Sequence, residues 1–310
     1  MNKAIKILAV LLVAQLVVIL AIQTNQPGTA QVVAQPLISV NLNTVDTLRI
    51  DGSDDQHVAL TKRGERWQIP SYGDQPADQN KVAELLQKLS GIEVRWPVAT
   101  SAAAAERFEV AEGSAQKTLT IQTGDSVVDA LFIGTSPSYR RVHVRVNGSD
   151  DIYQVELAQH DIPADPESWM DKTVLQFEGD ILSVKAGDIA ISRDTNGDET
   201  AWKLAGSAAD STDPALINRW VKRFNSLVVN ALVPAQNVEP IIVQNPALTV
   251  HISGEKGDAD YAFYMADEKY YIKRFGSSAL YEIASYQAKP IVEVEPKKFM
   301  INTSDAEPAQ

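Results

Sequence analysis

"ADQNKVAELLQKLSGI", Ala77 to Ile92, and "TDPALINRWVKRFNSL", Thr212 to Leu227, share one pattern. In the first, Asp78 stands where a helix cap belongs, and Val82, Leu85, Leu86 and Leu89 follow at the i, i+3, i+4, i+7 spacing of a single helical face. In the second, Asp213 is the cap, Pro214 takes the first helical position, and Ile217, Trp220, Val221 and Phe224 form the apolar stripe. The cap and all four apolar positions recur at one offset, 135 residues. Such a coincidence points to two copies of one unit.

The match continues on both sides. Upstream, Trp67 in "GERWQIP" meets Trp202 in "ETAWKLA", and Leu48 in "DTLRI" meets Leu182 in "DILSV". Downstream, Leu119 in "KTLTI" meets Leu248 in "PALTV", and Tyr153 in "DIYQV" meets Tyr281 in "ALYEI". The order is kept while loop lengths drift. A unit of roughly 130 residues exceeds the period of a solenoid repeat and suits a duplicated domain or two halves of one sheet. Each copy reads as two strands, a Trp-bearing strand, a helix, then about four strands. Runs such as "RRVHVRV" alternate apolar and polar residues, the mark of a sheet with one wet face, and the connections are too short for helical crossovers between most strands. The expected class is therefore α+β: two related repeats of mainly antiparallel sheet with one principal helix each, after an N-terminal transmembrane helix. The boundaries are 1–25 for a membrane anchor or signal peptide, 26–36 for a tether, 37–165 and 166–298 for the repeats, and 299–310 for a polar tail.

The N-terminus gives the compartment. "MNKAIKILAVLLVAQLVVILAIQ" sets Lys3 and Lys6 before an apolar run, Ile7 to Ile22, interrupted only by Gln15. As a helix the run is roughly 24 Å long, a marginal span that flanking residues extend. The lysines orient it with the body outside the cytoplasm. An uncleaved anchor, a signal peptide cut near "GTA" at Gly28 to Ala30, and a buried helix are the three readings. The first places the chain in a bacterial inner membrane with a single span and a periplasmic body.

Composition narrows the function. The chain has 310 residues, 45% of them hydrophobic, and a net charge of −12 from 28 Lys and Arg against 40 Asp and Glu. That is a globular composition whose acidity repels a polyanion, so no nucleic-acid partner is expected. It has no Cys, which excludes disulfides, thiolate catalysis and cysteine-ligated metal centres.

The stretches "ADQNKVAELLQKLSGI", "ALFIGTSPSYRRVHVRVNGSDDIYQVEL" and "ESWMDKTVLQFEGDILSVKA" together resemble a family of bacterial envelope proteins, the domain-of-unknown-function family DUF4340. The resemblance covers about Leu37 to Val294. Members are often encoded beside components of gliding-motility-type ABC transporters. It thus implies a membrane partner such as an ABC-type transporter subunit and an accessory or envelope-assembly role, and brings no catalytic residues with it.

No stretch carries a complete catalytic or metal-binding motif. Asp194, Asn196 and Asp198 fit the first positions of an EF-hand, but Glu199 replaces the turn glycine and Ala205 the bidentate glutamate, so a hairpin turn around Asn196-Gly197 is the better reading. His57, His143, His160 and His251 show no paired ligand spacing and read as surface or cleft-edge residues. "GTSPS" lacks the second glycine of a nucleophile elbow, and no phosphate-binding loop is present. The acids of "DGSDDQ" and "NGSDD" sit in turns. Trp67, Trp202, Trp220 and Phe224 are assigned to the core. Neither metal nor cofactor is expected, nor enzymatic activity, a carboxylate-dependent hydrolase being the weakest alternative. The one recurrent surface feature is cationic. Arg141, His143 and Arg145 share a strand face, and Lys269, Tyr271 and Lys273 fall on the corresponding face of the second copy. This stripe is either a docking face for an acidic partner or lipid headgroups, or a solvated strand paired with nearby acids. The functional expectation is a scaffold or accessory protein acting by protein–protein contact, with a ligand-binding module between the lobes as the alternative.

Overall fold

The computed structural model describes residues 11–15, 33–53, 55–194, 201–208 and 211–301. Residues 11–15 are helical and exposed. The rest of the expected anchor at 1–25, most of the tether up to residue 32, and the tail from 302 lie outside the described residues. No helix among the described residues is long and apolar enough to cross a membrane.

The strands are β1 (Gln35–Pro36), β2 (Thr47–Asp51), β3 (His57–Arg63), β4 (Arg66–Ile69), β5 (Gln75–Pro76), β6 (Glu93–Val94), β7 (Lys117–Thr123), β8 (Ser126–Ile133), β9 (Val142–Val146) and β10 (Ile152–Val155) in the first lobe. The second has β11 (Ile181–Ala186), β12 (Ile189–Asp194), β13 (Ala201–Leu204), β14 (Ala231–Leu232), β15 (Leu248–Gly254), β16 (Gly257–Ala266), β17 (Lys269–Arg274) and β18 (Tyr281–Ile283). Apart from the small β1–β6 ribbon they form two eight-stranded antiparallel sheets, ordered β10-β9-β8-β7-β2-β3-β4-β5 and β13-β12-β11-β15-β16-β17-β18-β14. Read from β4, the first order runs β4-β3-β2-β7-β8-β9-β10. Read from β13, the second gives the same seven places in the same sequence order.

Register sharpens the correspondence. Trp67 lies opposite Lys62 and Trp202 opposite Arg193, while Tyr153 lies opposite Val144 and Tyr281 opposite Ile272, so these pairs occupy equal places. Two sequence matches are displaced. Leu48 pairs with Leu60 and Ile121, and the residue so placed in the second sheet, between Ile191 and Ile252, is Val184 rather than Leu182. Likewise Leu119, opposite Ile50 and Leu131, corresponds to Val250, opposite Ala186 and Tyr261, rather than Leu248. A slip of two keeps every side chain on its original face, so alternation alone does not detect it.

The principal helices form as their patterns require. In α1 (Gln79–Ser90) the Asp78 carboxylate accepts from the backbone of Asn80 and Lys81, and Val82, Leu85 and Leu89 are buried. Each such side chain contributes roughly 1.5–3 kcal/mol over the exposed state. Between them comes α2 (Ala102–Arg107), capped by Ser101. In α3 (Pro214–Val221) Asp213 caps the backbone of Ala215 and Leu216, and Ile217, Trp220 and Val221 are buried. The chain then forms α4 (Ala235–Ile242) and α5 (Ser285–Val292). The first lobe thus carries one helix, and the second two, in addition to the one expected. α2 and the turn after it cover a cluster of Ala104, Ala105, Val110, Phe132 and Ile152, and α4 covers Tyr271 and Leu280. The sheets are therefore roofed at this end on the face expected to be wet.

One hydrophobic cluster runs from Leu48 and Leu119 in the first lobe, through Trp169, Leu175 and Phe177, to Tyr261 and Ile272 in the second. The connecting segment is bonded to both sides. Asp78 N–H donates to Trp169 O at 2.7 Å and Asp171 N–H to Pro76 O at 2.9 Å, while Phe177 N–H reaches Phe224 O and Val229 N–H reaches Lys172 O, each at 2.9 Å. At the seam the Tyr281 hydroxyl donates to Gln75 Oε1, and both residues are buried.

Candidate functional site

The six residues of the expected cationic stripe do not form one surface. Arg141 is exposed. His143 is only 8% exposed, stacked on the Phe108 ring at 4.1 Å with Nδ1 2.9 Å from Thr135 Oγ1. Arg145 is half-buried over the Phe132 ring and donates to Val110 O at 2.9 Å and Ser149 O at 3.1 Å. In the second lobe Lys269 is exposed but paired with Glu282 at 2.9 Å, Tyr271 is buried beneath α4, and Lys273 is half-buried. The stripe reading assumed a wet outer face, and α2 and α4 occupy it. Burial is also what pushes the His143 pKa below the usual histidine range, opposed by its bond to Thr135 and reinforced by Arg107.

Arg141 instead belongs to a groove. The β8–β9 connection begins at Gly134, where a Cβ would sit 2.0 Å from Phe108 O, so only glycine allows the backbones to approach this closely. Beyond it the loop ends in Tyr139, 85% exposed, and Arg140, whose φ of 56° is a left-handed value uncommon for a long side chain. The Arg140 guanidinium lies 5.8 Å from the Tyr139 ring centroid. Neither Arg140 nor Arg141 has a carboxylate partner among the described residues. Both line a groove of 740 Å³ between the C-terminal half of α1 and the segment that follows β10. Glu84, Lys88 and Asp161 line it and also a second hollow of 400 Å³ nearer the start of α1.

Lysine contacts tie the groove wall to the first lobe. Lys88 pairs with Asp161 at 2.6 Å, and Asp161 also accepts from Ala158 N–H at 2.9 Å. Burial alone would raise the Asp161 pKa, but these two bonds and the Lys88 charge bring it below the ordinary aspartate value. Lys81 donates to Ser168 O at 2.5 Å and lies over the Trp169 ring, and Lys117 donates to Gln159 O at 2.7 Å and Ile162 O at 2.9 Å. Burial lowers both lysine pKa values. Three lysines thus fix the connecting segment to the first lobe.

A third hollow, 470 Å³, marks the seam between the lobes; Gln75, Leu175, Arg274, Phe275 and Tyr281 are among its lining. The Gln75–Tyr281 bond closes its floor. Burial and the Asp171 charge push the Tyr281 hydroxyl up to about 12, so it remains a donor across the neutral range. Trp67, Trp202, Trp220 and Phe224 all lie in the core. His57 and His160 are exposed, and His251 is exposed with Asp260 at 2.7 Å on the neighbouring strand. Among the described residues no group of three or more His, Asp or Glu is placed to hold a metal. Asp194 ends β12 opposite Ala201, and the expected hairpin turn with Asn196 and Asp198 falls on residues 195–200, which lie outside the described residues. The loop-tip residue Tyr139 and the groove residues Arg140, Lys88 and Asp161 were missed in the sequence; the consecutive arginines after "SPSY" were the available signal.

A family model, domain of unknown function DUF4340, matches residues 67–246, more than half of the chain and parts of both lobes. The chain belongs to the DUF4340 family. No curated protein and no solved structure matches it. Within this DUF4340 chain the matched span opens at Trp67 of β4, contains both principal helices and the whole connecting segment, and stops just before β15.

Proposed function

We propose that this DUF4340 protein is a membrane-anchored extracytoplasmic accessory or scaffold protein that acts through protein–protein contacts, with an ABC-type transporter or envelope assembly as its membrane partner. The apolar run Ile7 to Ile22 would hold it in the inner membrane with a single span, and the two lobes would be copies of one duplicated unit. The observation that carries the reading is the Tyr139–Arg141 tip. It presents an exposed aromatic ring and two cations without carboxylate partners among the described residues, on a loop whose base packs closely at Gly134, beside a groove whose wall is held by lysine contacts. Exposed aromatic and arginine side chains on a rigid support are the usual anchors of protein interfaces. A backbone held in a sparsely populated conformation is typical of recognition and switch sites.

The alternative, capture of a small envelope ligand between the lobes, draws support from the 470 Å³ hollow at the seam. The experiment that tests the main reading is purification of the full chain from its native membranes in mild detergent, beside an Arg140→Glu/Arg141→Glu variant. The reading expects a membrane-protein complex to co-purify with the former and to be lost from the latter. Retention of the same partner by both would remove the tip from the interface.

A further inference from the structure

The second lobe has a groove of different chemistry. α3 packs beside α5 and a 3₁₀ turn at Pro296–Phe299, and a hollow of 340 Å³ lies between them. Its floor is apolar and fixed. The Trp220 indole N–H donates to Pro290 O at 3.0 Å, and the ring meets Phe224 and Phe299 edge-on, with centroids 5.3 and 5.7 Å away. Leu216 and Val294, both half-buried, extend the apolar wall.

The rim is cationic. Arg219, Arg223 and Lys298 line the hollow, and no carboxylate does. Arg219 and Lys298 are exposed, Arg223 is half-buried, and none of the three forms an ion pair among the described residues; the Lys298 charge acts on Glu295, whose carboxylate is paired with Lys297. Lys298 donates to the backbone oxygen of Glu293 at 3.2 Å. The exposed Lys222 and Lys289 lie next in sequence to Arg223 and Pro290 and widen the positive field. In a chain of net charge −12 such a patch is an exception, and cations left unpaired around an apolar floor favour a ligand that is both anionic and apolar. At the equal places of the first lobe Glu84 and Gln87 stand for Arg219 and Lys222, while Lys88 stands for Arg223, so most of this charge belongs to the second lobe and not to the shared architecture.

We infer that this groove docks the headgroup of an anionic phospholipid at a membrane surface, with phosphate among Arg219, Arg223 and Lys298 and the first acyl carbons against Leu216 and Val294. A lipid is favoured over an acidic protein segment by size and by tethering. The hollow is at the small end of ligand pockets, roughly 300–1,000 Å³. Fully extended, the stretch from Gln23 to Pro36 reaches at most about 50 Å at roughly 3.6 Å per residue, which keeps the body near the bilayer that the apolar run would enter. The tethering argument rests on the proposed anchor, whereas the groove chemistry does not.

The test uses the full chain in neutral detergent, titrated with short-chain phosphatidylglycerol and, separately, short-chain phosphatidylcholine. The wild type should bind the phosphatidylglycerol at least tenfold more tightly. An Arg219→Gln/Arg223→Gln/Lys298→Gln variant with unchanged circular dichroism should lose that preference, and Arg140→Gln/Arg141→Gln should keep it. Equal binding of the two lipids, or a preference that survives the triple substitution, would overturn the inference. So would competition by inorganic phosphate at the same concentration as the lipid, since the apolar wall would then be idle. Displacement at lower concentration by an acidic, leucine-containing peptide would assign the groove to a protein instead. None of these results depends on whether a transporter co-purifies, so the two proposals fail separately.

Discussion

The two lobes share seven strand places, the register of their outer strands and a capped helix, yet their surfaces diverge. Val82, Leu85 and Leu89 of the first helical segment and Ile217, Trp220 and Phe224 of the second all face the core and are all buried. On the outer side of those helices, Lys81 and Lys88 grip the connecting segment in the first lobe, whereas Leu216 and Arg223 of the second line a groove against α5. Packing constrains the inward positions alike, because a core of native density tolerates little change of volume or polarity. The outward positions are free to differ, and there the first lobe has built a clamped groove with mixed charge and the second an apolar groove with a positive rim.

Breaking the joint should have the largest effect. Trp169, on the segment that joins the lobes, is fully buried, with Lys81 over its ring and its indole donating to Pro163 O at 2.8 Å. Trp169→Ala should cost about 3–5 kcal/mol in denaturant unfolding. Tyr281→Phe is a smaller cut at the same joint: it leaves Gln75 Oε1 buried without its donor and should cost about 1–3 kcal/mol. If the seam instead opens readily to water, the second substitution will be nearly neutral.

The helix caps compare the lobes directly. Asp78→Ala and Asp213→Ala each remove a carboxylate that accepts from two backbone N–H groups, and each should cost about 1 kcal/mol. Unequal losses, measured by the same unfolding experiment, would show that one helix draws more of its stability from tertiary packing than the other.

The smallest effect separates the lobes by pH. His143, buried on β9, has no histidine counterpart in the second lobe, where Tyr271 takes the equal place. Its folded pKa is depressed, so the unfolded chain takes up the proton first, near about pH 6.5. The stability contributed by neutral His143 is complete above that pH and declines as pH falls toward the folded value. Thermal midpoints recorded between pH 7.5 and 5.5 should drop more steeply for the wild type than for His143→Gln, with the difference confined to the acidic end.

Most of the architecture was legible in the sequence because caps and apolar periodicity are local. Asp78, Asp213, and the stripes that follow them mark both helices without any knowledge of the sheets. Strand register was less legible. Leu182 and Leu248 attracted the alignment because they are leucines, but Val184 and Val250 hold the paired places, and a displacement of two leaves the alternation intact. α2 and α4 were missed for different reasons: Ala102 to Ala105 offers no amphipathic pattern in so short a helix, and Pro240 interrupts the other. That omission carried over to the site. With no roof on the sheet, His143 and Tyr271 read as surface residues, whereas Arg141, just outside β9, is exposed in the structure and lines the groove. The grooves themselves are assembled from segments far apart in the chain, such as Lys88 with Asp161 and Trp220 with Pro290, and no local pattern announces such pairs.

The central claim is that each lobe presents its own recognition surface on a common frame, the first to a protein. The most direct measurement is co-purification of the full chain from native membranes, run in parallel for the wild type, Arg140→Glu/Arg141→Glu and Arg219→Gln/Arg223→Gln/Lys298→Gln. The account predicts that a membrane-protein partner stays with the wild type and with the second-lobe variant and is lost from the first-lobe variant, all three chains being equally folded. A partner that remains with the first-lobe variant, or leaves only with the second, would contradict it.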